Sequence, residues 1–260
     1  EISECLVGSE MCIRDRAYCF YEYFLGDSAN FANGDKEGHP LNMLGTVYKG
    51  GIVVPVILTL LCTVIALGVE RYFALRSAFG KMSLAKFTAQ VKAAIKAGNF
   101  TEAKNLCNKM QGSVANVVLA SINAYEEVEK VGGMKKTQKV AKIQQAHEEA
   151  TQLEMPTLQM NLPIIATITT LGTLTALFGT VLGMIRSFQA LSAGGGADSM
   201  ALSAGISEAL VNTASGIFTS WFAVVFYNFF TNKIDKLTYA LDEVGYTIAQ
   251  TYEANHADEA

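Results

Sequence analysis

The sequence predicts an all-α membrane protein: three transmembrane helices with a large cytoplasmic helical domain formed by helices extending from the spans. Three observations predict it. First, half of the 260 residues are hydrophobic, a share a soluble domain could match, but they gather into long apolar runs at residues 50–69, 162–185 and 201–228. Each run is about as long as the roughly 20 helical residues that cross a ~30 Å hydrocarbon core. Second, lysine and arginine are unevenly placed. They fill the stretch between the first two runs (Arg76, Lys81 and Lys86 through to Lys142) and follow the third (Lys233, Lys236), while residues 187–200 have none. By the positive-inside tendency the middle segment and the tail are cytoplasmic, and the short loop faces the opposite side. Third, the middle segment repeats apolar residues at steps of three and four, the period of amphipathic helices.

Residues 1–16 (EISECLVGSEMCIRDR) have neither periodicity nor the charge-then-apolar order of a signal peptide. They read as a non-native, artefactual segment. Residues 17–49 form an N-terminal outer-face segment. Its start, AYCFYEYFL, is either the remnant of an extra membrane helix or a short surface helix. The rest, with Asp27, Asn30, Asn33, Gly34, Asp35, Gly38 and Pro40, is turn-rich and lies on the periplasmic side. The first span, 50–72, has Pro55 in its opening turn, where a missing N–H costs nothing, and closes on Glu70-Arg71.

The cytoplasmic domain, 73–161, reads as four helices. Ser83 caps the first, whose apolar face is Leu84, Phe87, Val91 and Ile95, and Gly98-Asn99 stops it. Thr101 and Glu102 open the second, which ends at Gly112. The third covers residues 113–131 and stops at Gly132-Gly133. The fourth, from about Met134, is polar and continues toward the second span, with Pro156 and Pro163 as candidate kinks. The second span, 162–186, is rich in Thr and Gly. Gly172, four residues before Ala176, and Gly179, four before Gly183, present small faces that let helices approach closely. A short periplasmic loop, 187–200, leads to the third span, 201–230. In the tail, 231–260, Ile234, Leu237, Leu241, Val244 and Ile248 make a heptad-like seam that could pack on the cytoplasmic bundle or on copies of itself.

The third span is the candidate site. Glu208 is its lone ionisable residue, and Asn212, Ser215 and Thr219 follow at helical spacing on the same face, with Thr213 beside it. A carboxylate inside an apolar helix costs about 2.5–3.5 kcal/mol, so its retention points to a pathway for a proton or another ion. The bland alternative is an interfacial acid reaching water, with the hydroxyls and amide bonding neighbouring helices. Gly216 lies on the span's packing face. Five scattered cysteines and three separated histidines suggest neither a disulfide framework nor a metal site, and no cofactor is expected. No nucleophile–base arrangement or phosphate loop is visible, which argues against an enzyme. The net charge of −4 gives no footprint for nucleic acid.

Three stretches resemble the ExbB/TolQ/MotA family of proton-channel (stator) subunits, ExbB-like members above all: Glu70-Arg71, the run LFGTVLGMIRSF at 177–188, and GISEAL at 205–210 followed by TASG at 213–216. The resemblance covers residues 44–252 and implies a homo-pentamer in the bacterial inner membrane around a single-span ExbD/TolR-type partner. It implies proton flow coupled, through a TonB-like protein, to outer-membrane transport. Glu208 and Thr213 take the family's third-span glutamate and threonine positions. Where the family often has Thr-Ala-Pro in the second span this chain has Leu171-Gly172-Thr173, so the second-span hydroxyl falls to Thr170 or Thr173. A TolQ- or MotA-like stator and a non-conducting scaffold are the competing readings, and the residues suit sodium as well as protons.

Overall fold

The computed structural model of the chain describes residues 12–31, 41–131, 134–193 and 199–256. Most of the segment read as non-native (residues 1–11), the turn residues 32–40, the Gly132-Gly133 stop, the middle of the expected loop (194–198) and the last four residues lie outside them. The described residues form helices and no strand: α1 (residues 12–25, whose second half, Phe20–Leu25, is a π-helix), α2 (Met43–Tyr48), α3 (Val53–Ala78), α4 (Leu84–Lys96), α5 (Phe100–Met110), α6 (Ser113–Lys130), α7 (Lys136–Gln159), α8 (Leu162–Ala193) and α9 (Ser199–Asn255). Among them α3, α8 and α9 are long and apolar enough to cross a membrane. The chain divides into two compact units: Glu1–Val69 with Pro163–Asn228, and Glu70–Leu162 with Phe229–Ala260.

In the first unit the spans meet along small residues, and short helices pack at one end. Tyr21 of α1 stacks on Tyr48 of α2 at 4.7 Å between ring centroids, and its hydroxyl donates to the Tyr48 carbonyl at 2.8 Å. Burial, followed by the neighbouring Tyr48, pushes the Tyr21 phenol up to about 12, so it remains a hydrogen-bond donor. Tyr21, Leu25 and Val54 form a small buried cluster.

The second unit is an amphipathic bundle in which α6 packs along α7 and α4 packs on α5. The expected face of α4 is buried at Phe87, Val91 and Ile95, and the tail seam is buried at all five expected positions, from Ile234 to Ile248. Of the two alternatives for that seam, the bundle of its own chain is the one realised. Tyr252 meets Tyr125 edge-on at 4.9 Å, and the Lys92 ammonium pairs with the Glu243 carboxylate. Each large apolar side chain so enclosed contributes about 1.5–3 kcal/mol.

Three local details differ from the sequence reading, and a fourth feature follows it. Ser83 occupies the N-cap of α4 without a side-chain bond, whereas Asn99 caps α5 by accepting from the Glu102 N–H at 3.2 Å. The chain breaks between α7 and α8 at Met160-Asn161, where Asn161 takes φ 65°, while Pro156 sits inside α7. Asparagine tolerates the left-handed region and a proline kink alone does not stop a helix. Helix α8 continues to Ala193, through part of the expected loop, because Gln189, Ala190 and Leu191 are good helix formers. As expected of a helix extending from a span, the third span and the tail are one helix of 57 residues.

Candidate ion-path site on α8 and α9

Helix α8 carries a single charged residue, Arg186, and α9 carries a single one before Lys233, Glu208. The two meet: Arg186 Nη1 donates to Glu208 Oε1 at 2.6 Å. The carboxylate side chain is 13% exposed and the guanidinium 52%. Two isolated charges in apolar helices thus neutralise one another, the arrangement that makes intramembrane charge tolerable. The Gly50-Gly51 turn closes over the acid. Gly51 has φ +74°, and a Cβ there would collide with Glu208 Oε1, so only glycine lets the backbone come this near.

One turn on, the Asn212 side chain is completely buried, and neither its amide nitrogen nor its oxygen has a hydrogen-bond partner among the described residues. It packs on Gly179, where a Cβ would stand 2.9 Å from the Asn212 Cγ. Leaving such a group unpaired costs on the order of 1–3 kcal/mol. The other small residues continue the seam. Gly183 faces Ala209 and the Gly205 carbonyl; Gly216 faces Ala176 and the Gly172 carbonyl; Gly172 faces Ser220. A Cβ at any of Gly172, Gly179, Gly183 and Gly216 would stand within 3 Å of atoms of the facing helix. Side chains at these positions would force the helices apart.

The threonines behave differently. Thr213 is partly buried and donates to the Ala209 carbonyl at 3.1 Å. Thr170 is exposed and Thr173 partly so, and they donate to the Thr167 and Thr170 carbonyls at 2.9 and 2.8 Å. Each hydroxyl proton is engaged by its own helix, while acceptor lone pairs remain on each oxygen. The polar face drawn from Glu208 splits. Asn212 and Thr219 are buried, Ser215 is partly buried, and Glu208 is tied to Arg186. Thr170 and Thr173 make no hydrogen bond to that face among the described residues. Sequence reading missed the role of Arg186. The available signal was one cation and one anion, each alone in its span.

Residues 111–243, just over half of the chain, match the MotA/TolQ/ExbB proton channel family. The chain belongs to this family. The matched region holds Arg186, Glu208, Asn212 and all four seam glycines. Among similar proteins of the MotA/TolQ/ExbB family, biopolymer transport protein ExbB-like 3 of Synechocystis sp. is 40% identical over 33% of this chain and 41% of its own length. The Tol-Pal system protein TolQ of Pseudomonas aeruginosa is 33% identical over 43% of this chain and 47% of its own. An ExbB homolog of Methanothermobacter thermautotrophicus is 25% identical over 75% of this chain and 66% of its own. The chain thus spans less than half the length of the first two. Family and spans together make this a membrane protein of a transport family.

Proposed function

We propose that the chain is the proton-channel subunit of an inner-membrane motor that couples the proton-motive force to TonB-dependent outer-membrane transport. In this reading it forms a homo-pentamer around a single-span ExbD/TolR-type partner and passes force to a TonB-like protein. The lysine-rich bundle and tail face the cytoplasm, in keeping with the positive-inside tendency. The observation that carries the reading is the placement of the polarity of α8 and α9. Glu208 with its Arg186 counter-ion and the buried Asn212, which has no hydrogen-bond partner among the described residues, lie one turn apart on a seam otherwise built of glycine, alanine, apolar and small hydroxyl side chains. Such groups are costly in lipid and are retained where ions or protons pass. Glu208 and Asn212 supply the fixed polarity of the path. Thr213, with Thr170 or Thr173, supplies hydroxyl oxygens that accept from a passing proton carrier.

A TolQ-like role in the cell envelope is the second reading, favoured by the match to the Pseudomonas protein of the Tol-Pal system. The two readings share the channel and differ in the periplasmic load. In a host lacking its own ExbB and TolQ, Glu208→Ala is expected to abolish energised uptake through outer-membrane transporters while the purified assembly keeps its mass. Rescue by the wild type of envelope integrity alone would favour the TolQ-like role. Loss of assembly in the variant would make the chain a scaffold.

A further inference from the structure

A cavity of about 320 Å³ lies where α3 and α9 carry exposed cations, Arg76 and Lys233, a little beyond the apolar runs, and the proposed ion path does not use it. Tyr72, Leu75 and Arg76 of α3 and Phe79 just after it line the cavity together with Phe229 and Lys233 of α9, and no described carboxylate does. Both cations are exposed, and neither forms an ion pair among the described residues. The Lys233 ammonium sits over the Phe229 ring, 5.6 Å from its centroid. Depth follows from helix length. Helix α3 has 26 residues, about 39 Å at 1.5 Å per residue. A ~30 Å hydrocarbon core entered near Val53 is crossed after roughly 20 residues. Tyr72–Phe79 then fall in the headgroup layer. On α9 the apolar run ends at Asn228, and Lys233 stands about 7–8 Å beyond it. Two unpaired cations, aromatic rings and an open cavity thus converge at the depth of lipid phosphates.

We propose that this cavity binds the headgroup of an anionic phospholipid, its phosphate between Arg76 and Lys233 and its glycerol and upper acyl carbons against Tyr72, Phe79 and Phe229. Arginine supplies a planar fork for phosphate oxygens, lysine a mobile point charge, and the rings an amphipathic wall suited to the interface. An acidic peptide would satisfy the cations but leave the aromatic wall facing the acyl region without an apolar partner. The inference rests on the membrane placement of the spans and is independent of the proton path.

The test uses the full chain, with its co-purified partner, in vesicles of phosphatidylcholine containing increasing phosphatidylglycerol. Retained lipid is counted by native mass spectrometry. Phosphatidylglycerol is expected to be retained in preference to phosphatidylcholine, and Arg76→Gln/Lys233→Gln to weaken that retention by about fivefold for each cation removed. The swap Arg76→Lys/Lys233→Arg is expected to keep most of it. The control Lys86→Gln/Lys96→Gln, equal in charge loss but outside the cavity, is expected to leave it unchanged. Equal loss in the control, equal retention of phosphatidylcholine, or displacement of the lipid by inorganic phosphate would overturn the proposal. So would a fall in oligomer mass with lipid retention intact, which would assign the face to a second copy. An unchanged melting curve for Arg76→Gln/Lys233→Gln separates lost binding from lost folding. Proton flux that persists in that variant keeps the outcome distinct from the channel reading.

Discussion

The two units of the chain solve burial in opposite ways. The unit containing α4–α7 closes a core of its own, with Phe87, Val117, Ile122, Leu237 and Val244 fully enclosed and most charges outside, Arg71 being buried against Glu70. The unit containing the spans is turned inside out. Its interior seam is small and partly polar, through Gly179, Asn212, Gly216 and Thr219, while Leu174, Phe178, Ile217 and Trp221 face outward, each more than half exposed. An amphipathic helix in water must hide its apolar stripe, whereas in lipid the apolar side is the solvated one and close packing falls to small residues. The polarity proposed to form the ion path therefore sits where the apolar effect cannot drive association, and geometry, hydrogen bonding and charge pairing must hold it.

That contrast can be broken most sharply by truncation. Leu241→Ala, 1% exposed, is expected to cost the bundle about 2–5 kcal/mol. Phe178→Ala, 61% exposed on a span, is expected to leave the melting curve in detergent nearly unchanged. Chemical denaturation followed by circular dichroism reads both. Comparable losses would mean the outward face of the spans is packed within the chain. Next in size, Gly216→Leu is expected to overpack the α8–α9 seam at a cost of about 1–3 kcal/mol, against little effect for Ala214→Leu on the exposed side of the same helix. A thermal-shift comparison of the two variants measures the difference.

A smaller effect sharpens the contrast by pH. His147 is buried in the bundle, its Nδ1 2.9 Å from Ser121 Oγ. With the Ser121 hydroxyl donating to the Val117 carbonyl at 2.9 Å, Nδ1 donates to the serine oxygen, and Nε2, against Gly245, has no hydrogen-bond partner among the described residues. Burial pushes the imidazole below its ordinary value; Asp242 on α9 and Glu148 on α7 pull weakly the other way. An unfolded histidine titrates near ~6.5. Below that pH the unfolded chain binds a proton the folded one resists, so stability falls with acidification until the folded value is passed. The melting temperature is expected to drop between about pH 7 and pH 5, and to drop less in His147→Gln.

The same contrast explains what was legible in the sequence. Apolar runs are composition, so the three spans could be read directly, and the period of α4 and of the tail seam named residues that are buried, Leu84 at the start of α4 alone being only partly covered. The glycine stops at Gly98 and Gly112 were readable because both take a positive φ, 71° and 100°. Pairing between helices was not readable. Arg186 and Glu208 are 22 positions apart on different spans, and no period links them. The burial of Asn212 against Gly179 depends on how α8 turns against α9, which two apolar stretches leave undetermined. The break at Asn161 escaped because proline is the louder signal. Asn161 donates to Glu70 at 2.9 Å, and the adjoining Arg71 reaches the Thr157 carbonyl at 3.3 Å, near the end of α7. Tertiary partners thus hold a left-handed residue that local propensity does not demand.

Proton uptake into liposomes, with a co-expressed single-span partner and an imposed pH gradient, tests the channel most directly. The wild-type assembly is expected to conduct, and Glu208→Ala, purified at the same oligomeric mass, to conduct no more than empty vesicles. Undiminished flux in Glu208→Ala would contradict the placement of the ion path on the α8–α9 seam.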